Sequence, residues 1–329
     1  MSEIGAVRTL TLVSVVAPVY NEAETLRTFY ERVTKALAEL PFELVFVDDG
    51  STDASAEIMA ELADEDERVK AILLSRNFGQ PAAATAGLDH AEGDAVVMID
   101  ADLQDPPELI PTMLEAWRRG VDVVYAVRTS RAGESAFKIR TANWFYRLFA
   151  ALTRIGVDQN AGDFRLLSRR ALDALLQMRE RNRYLRGMTF WVGFTQTAVP
   201  YERDQRYAGE TKYDTRKLIR VALDAVSSFS NVPLQAATVF GFLVSAFAFL
   251  AVPVVLALRL AGHYIPGFST LLIAVLMLGG IHLMAIGVIG EYLGRVYDEV
   301  KQRPLYVVRS IHTARTAAAP PERELERSA

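Results

Sequence analysis

Two stretches of this chain contain no charged side chain, and they constrain its fold more than any other feature. Residues 234 to 258, LQAATVFGFLVSAFAFLAVPVVLAL, run uncharged for 25 positions, and residues 268 to 290, FSTLLIAVLMLGGIHLMAIGVIG, for 23. A helix needs about 20 apolar residues to cross ~30 Å of hydrocarbon, and helices in a soluble core seldom lack charge on every face. The pattern predicts two membrane helices, over about 234–258 and 268–291. The short link RLAGHYIPG makes them a hairpin with both outer ends on one side. Five Lys and Arg lie in residues 206–220 and three in 295–303, against one in the link. By the positive-inside rule both flanks are cytoplasmic.

The rest of the chain has a different period. Short β-branched runs, TLVSVVAPV, FELVFVDD, VKAILLS, DAVVMIDAD and VDVVYAVR, alternate with amphipathic stretches such as 22–40 and 53–65. Continuously apolar strands separated by helices imply an α/β fold with a mostly parallel sheet covered on both faces. Residues 135–203 are less regular, with helices expected over 135–153 and 168–178 and a strand near 196–202. The expected organisation is therefore a soluble α/β domain over 1–213, an amphipathic helix over 214–231, the hairpin over 232–293, and a tail over 294–329 that is disordered after about 310. The amphipathic helix carries Arg216, Lys217 and Arg220 off its apolar face, so it either lies among lipid headgroups or packs on the soluble domain. The N-terminus enters a strand pattern without a secretory signal. The net charge of -4 argues against a nucleic-acid binder, the absence of cysteine excludes disulfides, and the four scattered histidines form no zinc-type cluster.

In a parallel α/β sheet, ligands bind beyond the carboxyl ends of the strands. The polar clusters PVYNE, DDGS, DADLQ and VRTS all fall there. Asp100 and Asp102, spaced i, i+2 after a strand, can aim two carboxylates at one hard cation, with Gln104 adding a neutral oxygen. Asp53 reads as a helix cap, while Asp49 could accept hydrogen bonds from a base edge. Tyr20 offers either an aromatic face or ordinary packing, and Glu22 an acceptor.

The ordered set VVAPVYNEAETL, VFVDDGSTD, LLSRNFGQPAAATAGLDHAEGD, MIDADLQDPPE, GDFRLLSR and RYAGETKY resembles the inverting GT-A (Rossmann-like) glycosyltransferases that act on polyprenyl phosphates. These include dolichyl-phosphate mannose synthases. SFSNVPL, the hairpin and GVIGEYLGRVYDEVKQRPLY are more similar to the bactoprenol (undecaprenyl-phosphate) glucosyltransferase branch, the GtrB-like proteins. The resemblance runs from about residue 10 to 308. It implies transfer of glucose from UDP-glucose to undecaprenyl phosphate with inversion, at the bacterial inner membrane, by an enzyme using Mg2+ or Mn2+. Related donors are GDP-mannose, UDP-GlcNAc, UDP-galactose and an aminoarabinose nucleotide.

Carried over to this sequence, the resemblance implies that Pro18, Tyr20, Glu22, Val47 and Asp49 hold the nucleoside. Asp100, Asp102 and Gln104 hold the metal on the diphosphate, with Ala101 between them in the donor site. Arg128, Arg206 and Lys212 contact donor or acceptor phosphates, Arg165 joins the acceptor group, and Asp163 is the base or acceptor-orienting residue. From the residues alone Asp163 equally reads as a turn residue pairing with Arg165 or Arg169. Gly290 and Gly294 hint at helix association and a homo-oligomer. Two other readings are weaker. A processive polysaccharide synthase carries QxxRW, yet none of Trp117, Trp144 or Trp191 follows an arginine. A non-catalytic membrane scaffold that senses nucleotide sugars predicts lost metal ligands, and these are present.

Overall fold

The computed structural model describes residues 8–129, 161–202, 232–261 and 267–314. Strands β1 (Val13–Val19), β2 (Phe42–Asp48), β3 (Val69–Leu74), β4 (Ala95–Met98) and β5 (Val123–Arg128) arise from the apolar runs. Helices α1 (Leu26–Ala36), α2 (Ser55–Glu65), α3 (Gln80–His90) and α4 (Ile110–Arg118) fill the intervals. Leu26, Phe29 and Val33 recur at helical spacing on the buried side of α1, and Phe29 meets Phe46 of β2 at a ring separation of 6.0 Å. After β6 (Ala161–Ser168) come α5 (Arg169–Gln177), α6 (Leu185–Trp191) and β7 (Gln196–Tyr201). The Ser168 hydroxyl caps α5 by accepting from the Ala171 amide. Helices α7 (Val232–Leu260) and α8 (Phe268–Val300) precede a last strand, β8 (Val308–His312).

Among the described residues the strands form one sheet in the order β7-β5-β6-β4-β1-β2-β3-β8. Pairs β1–β2, β1–β4, β2–β3 and β5–β7 are parallel. Strand β6 is antiparallel to both β4 and β5, and β8 is antiparallel to β3. The sheet is thus mostly parallel, as expected, but two strands escape the sequence pattern. Asp163 and Arg165 interrupt the apolar run of β6, and β8 lies in a segment read as tail. Treating everything after residue 293 as tail is corrected by α8, which continues to Val300, and by β8, which reaches His312.

One side of the sheet is tied by a buried carboxylate. Asp122, at the start of β5, accepts from Arg8 at 2.8 Å, from Arg170 at 2.6 and 2.7 Å, and from the hydroxyls of Ser168 and Thr195. Burial alone would raise its pKa, but those donors, Arg170 first, hold it far below the usual carboxylate range. Elsewhere, Asp89 on α3 accepts from Arg179 at 2.7 and 2.8 Å and from the Tyr306 hydroxyl at 2.8 Å. Tyr306 follows α8 in the chain and leads into β8.

The described chain divides into two units: the sheet with its helices (8–202 and 304–314), and a helical unit (232–261 and 267–303). In the helical unit both expected segments are single helices that pack on one another. At 1.5 Å per residue, the 29 residues of α7 extend about 43 Å. Phe242, Phe247 and Phe249 of α7, and Leu271, Leu283 and Met284 of α8, are exposed. Among the described residues, Met277–Val300 has the length and hydropathy, 1.4, of a membrane-crossing helix. Glu291 and Arg295 of α8 form the expected i, i+4 ion pair at 3.0 Å. The expected helices over 135–153 and 214–231 and the loop at 204–213 lie outside the described residues.

Candidate active site

The motifs converge because of strand direction. Parallel β1, β2, β4 and β5 deliver Tyr20, Asp49, Asp100 and Arg128 to one edge of the sheet. Strand β6 runs the other way, so its first residues, Ala161 to Asp163, arrive at that same edge. Register confirms the placement, since Met98 pairs with Arg165 and Val127 with Ala161. Asp163 therefore comes beside the DADLQD turn although 61 positions separate it from Asp102 in the chain.

The turns after β1 and β2 lace together. The Ser51 hydroxyl accepts from the Asn21 amide at 3.0 Å, the Asn21 side chain accepts from the Thr52 amide at 2.8 Å, and Ser55 accepts from the Glu22 amide at 2.9 Å. Asp53, expected as the cap, accepts from the amides of Ser55 and Ala23, but the N-cap of α2 is Ala54. Gly50 adopts φ +69°, and a Cβ there would lie 2.6 Å from the Arg76–Asn77 backbone, so the turn needs glycine. Asp49 is buried, and its two oxygens accept from the amides of Phe78 at 2.7 Å and Gly79 at 2.9 Å. Its pKa is raised by burial despite these bonds. Tyr20 is 48% exposed at this edge. Pro18 and Glu22 are partly buried at this edge, Glu22 accepting from the Thr25 hydroxyl. Val47 is fully buried beneath α3, so its side chain does not line the edge.

In the DADLQD turn, Leu103 takes φ +61°, an uncommon conformation for a residue with a side chain, and it is buried. Ala101 is also buried, while Asp100, Asp102 and Gln104 are partly open. The alternation buries the apolar members and leaves the oxygen-bearing ones at the edge. Asp102 accepts from the Gln104 amide at 3.1 Å, and Asp100 accepts from the Gln80 side chain at 2.7 Å. The Asp100 carboxyl is pushed up to about 7 by burial and by the charges of Asp163, Asp102 and Asp105. Such a concentration of negative charge suits a cation. Among the described residues no three carboxylates or imidazoles form a complete metal cage. Asp100, Asp102 and Gln104 could offer two carboxylates and an amide oxygen to a hard ion that also takes phosphate and water oxygens.

Asp105, the third acid of the turn, faces inward. It is buried and accepts from the Tyr201 hydroxyl. The Tyr201 hydroxyl, pushed up to about 12 by burial and by Asp105, in turn accepts from Arg128 Nε at 3.3 Å.

Asp163 has a side chain 37% exposed and pairs with Arg186 of α6 at 3.1 Å. Burial raises its pKa, but Arg186, Arg165 and Arg128 together bring it below the ordinary value, so it is ionised at neutral pH. Arg165 is not an acceptor-phosphate contact. It is 0% exposed, with its guanidinium donating to the Gly162 carbonyl at 2.6 Å, to the Thr189 hydroxyl and to the Arg186 carbonyl at 3.4 Å. Burial lowers its pKa to about 10, so it remains a cation holding β6 against α6. Arg206 and Lys212 lie outside the described residues. Gln80, Arg186 and Tyr201 were missed from sequence; only Tyr201, at the end of an expected strand, carried a positional signal.

The family profile of glycosyl transferase family 2 matches residues 14–176. An uncharacterized glycosyltransferase of Bacillus subtilis is 49% identical over 299 residues, spanning 90% of this chain and 93% of its own. A prophage-derived bactoprenol glucosyl transferase of Shigella flexneri is 41% identical over 303 residues, 91% of this chain and 98% of that one. A prophage bactoprenol glucosyl transferase homolog of Escherichia coli is 41% identical over 302 residues, 91% and 99% of the two chains.

Proposed function

This chain belongs to glycosyl transferase family 2, and we propose that it moves glucose from UDP-glucose to undecaprenyl phosphate with inversion, giving a β-linked lipid phosphate sugar. The observation that carries this reading is the meeting, at one sheet edge, of Asp100 and Asp102 with Asp163, Arg128 and Arg186. The bactoprenol relatives support the acceptor and the sugar. Asp100, Asp102 and Gln104 would hold a magnesium or manganese ion, which would supply charge neutralisation to the departing diphosphate. Arg128 adds a cation on the same charge, in a site where such contacts carry much of the catalysis. The exposed Tyr20 ring and the buried Asp49 carboxylate bind the nucleoside.

The acceptor is a phosphate, already anionic at neutral pH, so displacement does not depend on a strong base. Asp163, ionised beside Arg186, orients the acceptor, while Arg206 and Lys212 contact phosphate. Helices α7 and α8 anchor the enzyme in the bacterial inner membrane as a two-span hairpin, with the sheet domain and the C-terminal segment cytoplasmic. The charge bias of the flanking sequences supports that orientation.

The test incubates the purified chain in detergent with undecaprenyl phosphate, Mg2+ or Mn2+, and a panel of UDP- and GDP-sugars, following lipid-linked sugar by mass spectrometry. Glucosyl phospholipid from UDP-glucose, abolished by Asp102→Ala with folding intact, is the expected result. Product from another donor overturns the sugar assignment. An active Asp102→Ala enzyme overturns the metal assignment, and no product from any donor favours the scaffold reading.

A further inference from the structure

We infer that Tyr201 and Asp105 form a buried relay that positions Arg128 for the donor diphosphate; the inference rests on the reading of Arg128 given above. The parallel pairing of β5 and β7 sets Arg128 directly beside Tyr201. Arg128 Nε donates to the Tyr201 hydroxyl at 3.3 Å, and that hydroxyl donates to Asp105. Tyr201 is 5% and Asp105 2% exposed, so neither reaches substrate. The Tyr201 ring is fixed edge-on against buried Phe164, at 6.3 Å and 80°. At the other end of the arginine, a Cβ on Gly162 would lie 3.5 Å from Nη2. The guanidinium therefore lies over a bare Cα, one residue from Asp163.

The chemistry explains why a phenol stands between the two charges. A tyrosine hydroxyl has one proton, and Asp105 takes it, so the oxygen can serve Arg128 only as acceptor. The carboxylate polarises the phenol and strengthens its hold on Nε, as chained hydrogen bonds do. A carboxylate placed directly on the guanidinium fork would instead compete with phosphate for the same bidentate face. Through the phenol, only the Nε edge is engaged. This accounts for the third acid in DADLQD, which the metal set does not use.

Arg128→Ala, Tyr201→Phe and the double variant are compared by steady-state kinetics with UDP-glucose and by calorimetric titration with UDP and Mg2+. Losing the tether is expected to lower kcat/KM about ten-fold in Tyr201→Phe, since misplacing a catalytic group by ~1 Å can cost as much as a hundred-fold. In the Arg128→Ala background, the same change is expected to have no further effect on kcat/KM or on UDP affinity. Multiplying losses would show that Tyr201 acts independently and overturn the relay while leaving Arg128 in place. Undiminished activity and UDP affinity in Arg128→Ala would overturn the reading of Arg128 and the relay with it. If Tyr201→Phe does not fold, Asp105→Asn takes its place; its loss must likewise vanish without Arg128.

Discussion

Adding one methyl group at Gly87 sets two effects of known size against each other. In the middle of a helix, alanine is favoured over glycine by about 1 kcal/mol. In α3, however, a Cβ at position 87 would sit 2.3 Å from Val16 Cγ1 and 3.0 Å from Val47 Cγ2. Carbon atoms rest at about 3.5–4.0 Å, so the nearer overlap exceeds ~1 Å. Both valines are fully buried in paired strands and cannot yield together. Overpacking of this kind costs about 1–3 kcal/mol, which leaves Gly87→Ala destabilised by roughly 0–2 kcal/mol. At ~2–4 °C per kcal/mol for a domain of this size, thermal unfolding should shift down by up to about 8 °C. The site should respond as well. If α3 lifts by ~1 Å, the bond of Gln80 to Asp100 at 2.7 Å and those of Phe78 and Gly79 to Asp49 at 2.7 and 2.9 Å stretch past hydrogen-bonding range. Thermal unfolding followed by circular dichroism, with UDP titration on the same samples, should show lower stability and weaker binding together. A Gly87→Ala protein that melts higher and binds UDP unchanged would refute the packing argument.

Two further outcomes follow from buried charge. Asp122 is ionised in the fold to a pH far below its unfolded value, so its stabilisation is complete above about pH 4 and disappears as pH falls through the folded value. The stability gap between wild type and Asp122→Asn, measured by urea unfolding from pH 6 down, should therefore narrow below that point; a constant gap would show that Asp122 does not titrate with folding. Arg165→Met should lower stability by about 1–3 kcal/mol, because it leaves the buried Gly162 carbonyl without its donor. A variant with unchanged melting and only a raised KM for the lipid acceptor would return Arg165 to the phosphate site.

What could be read in advance depended on how local the cause was. Strands β1 to β5 were legible because burial on both faces writes a continuous apolar run, and the turns after them because DDGS and DADLQ carry their chemistry within a few residues. Strand β6 was not, since Asp163 and Arg165 share its face yet meet different surroundings, one at the open edge and the other under α6. Nothing in an i, i+2 spacing distinguishes those fates, so the phosphate role that the resemblance implied for Arg165 could not be checked from the residues. Tyr201 and Asp105 are 96 positions apart, so their bond exists only once β7 has paired beside β5. Gln80 and Arg186 lacked a motif of their own for the same reason, their partners being supplied by strand order.

Strand β8 carries a consequence for biosynthesis. The ribosome delivers Val308–His312 only after both long apolar helices, yet that strand closes the edge of β3, whose sequence VKAILL was made more than 200 residues earlier. Until then β3 presents unpaired amides and carbonyls along a largely apolar strand, the feature that recruits other chains into aggregates. A nascent chain stalled after the hairpin thus holds every motif of the site and still has an unfinished sheet. Finishing the sheet domain therefore waits until both apolar helices have been made.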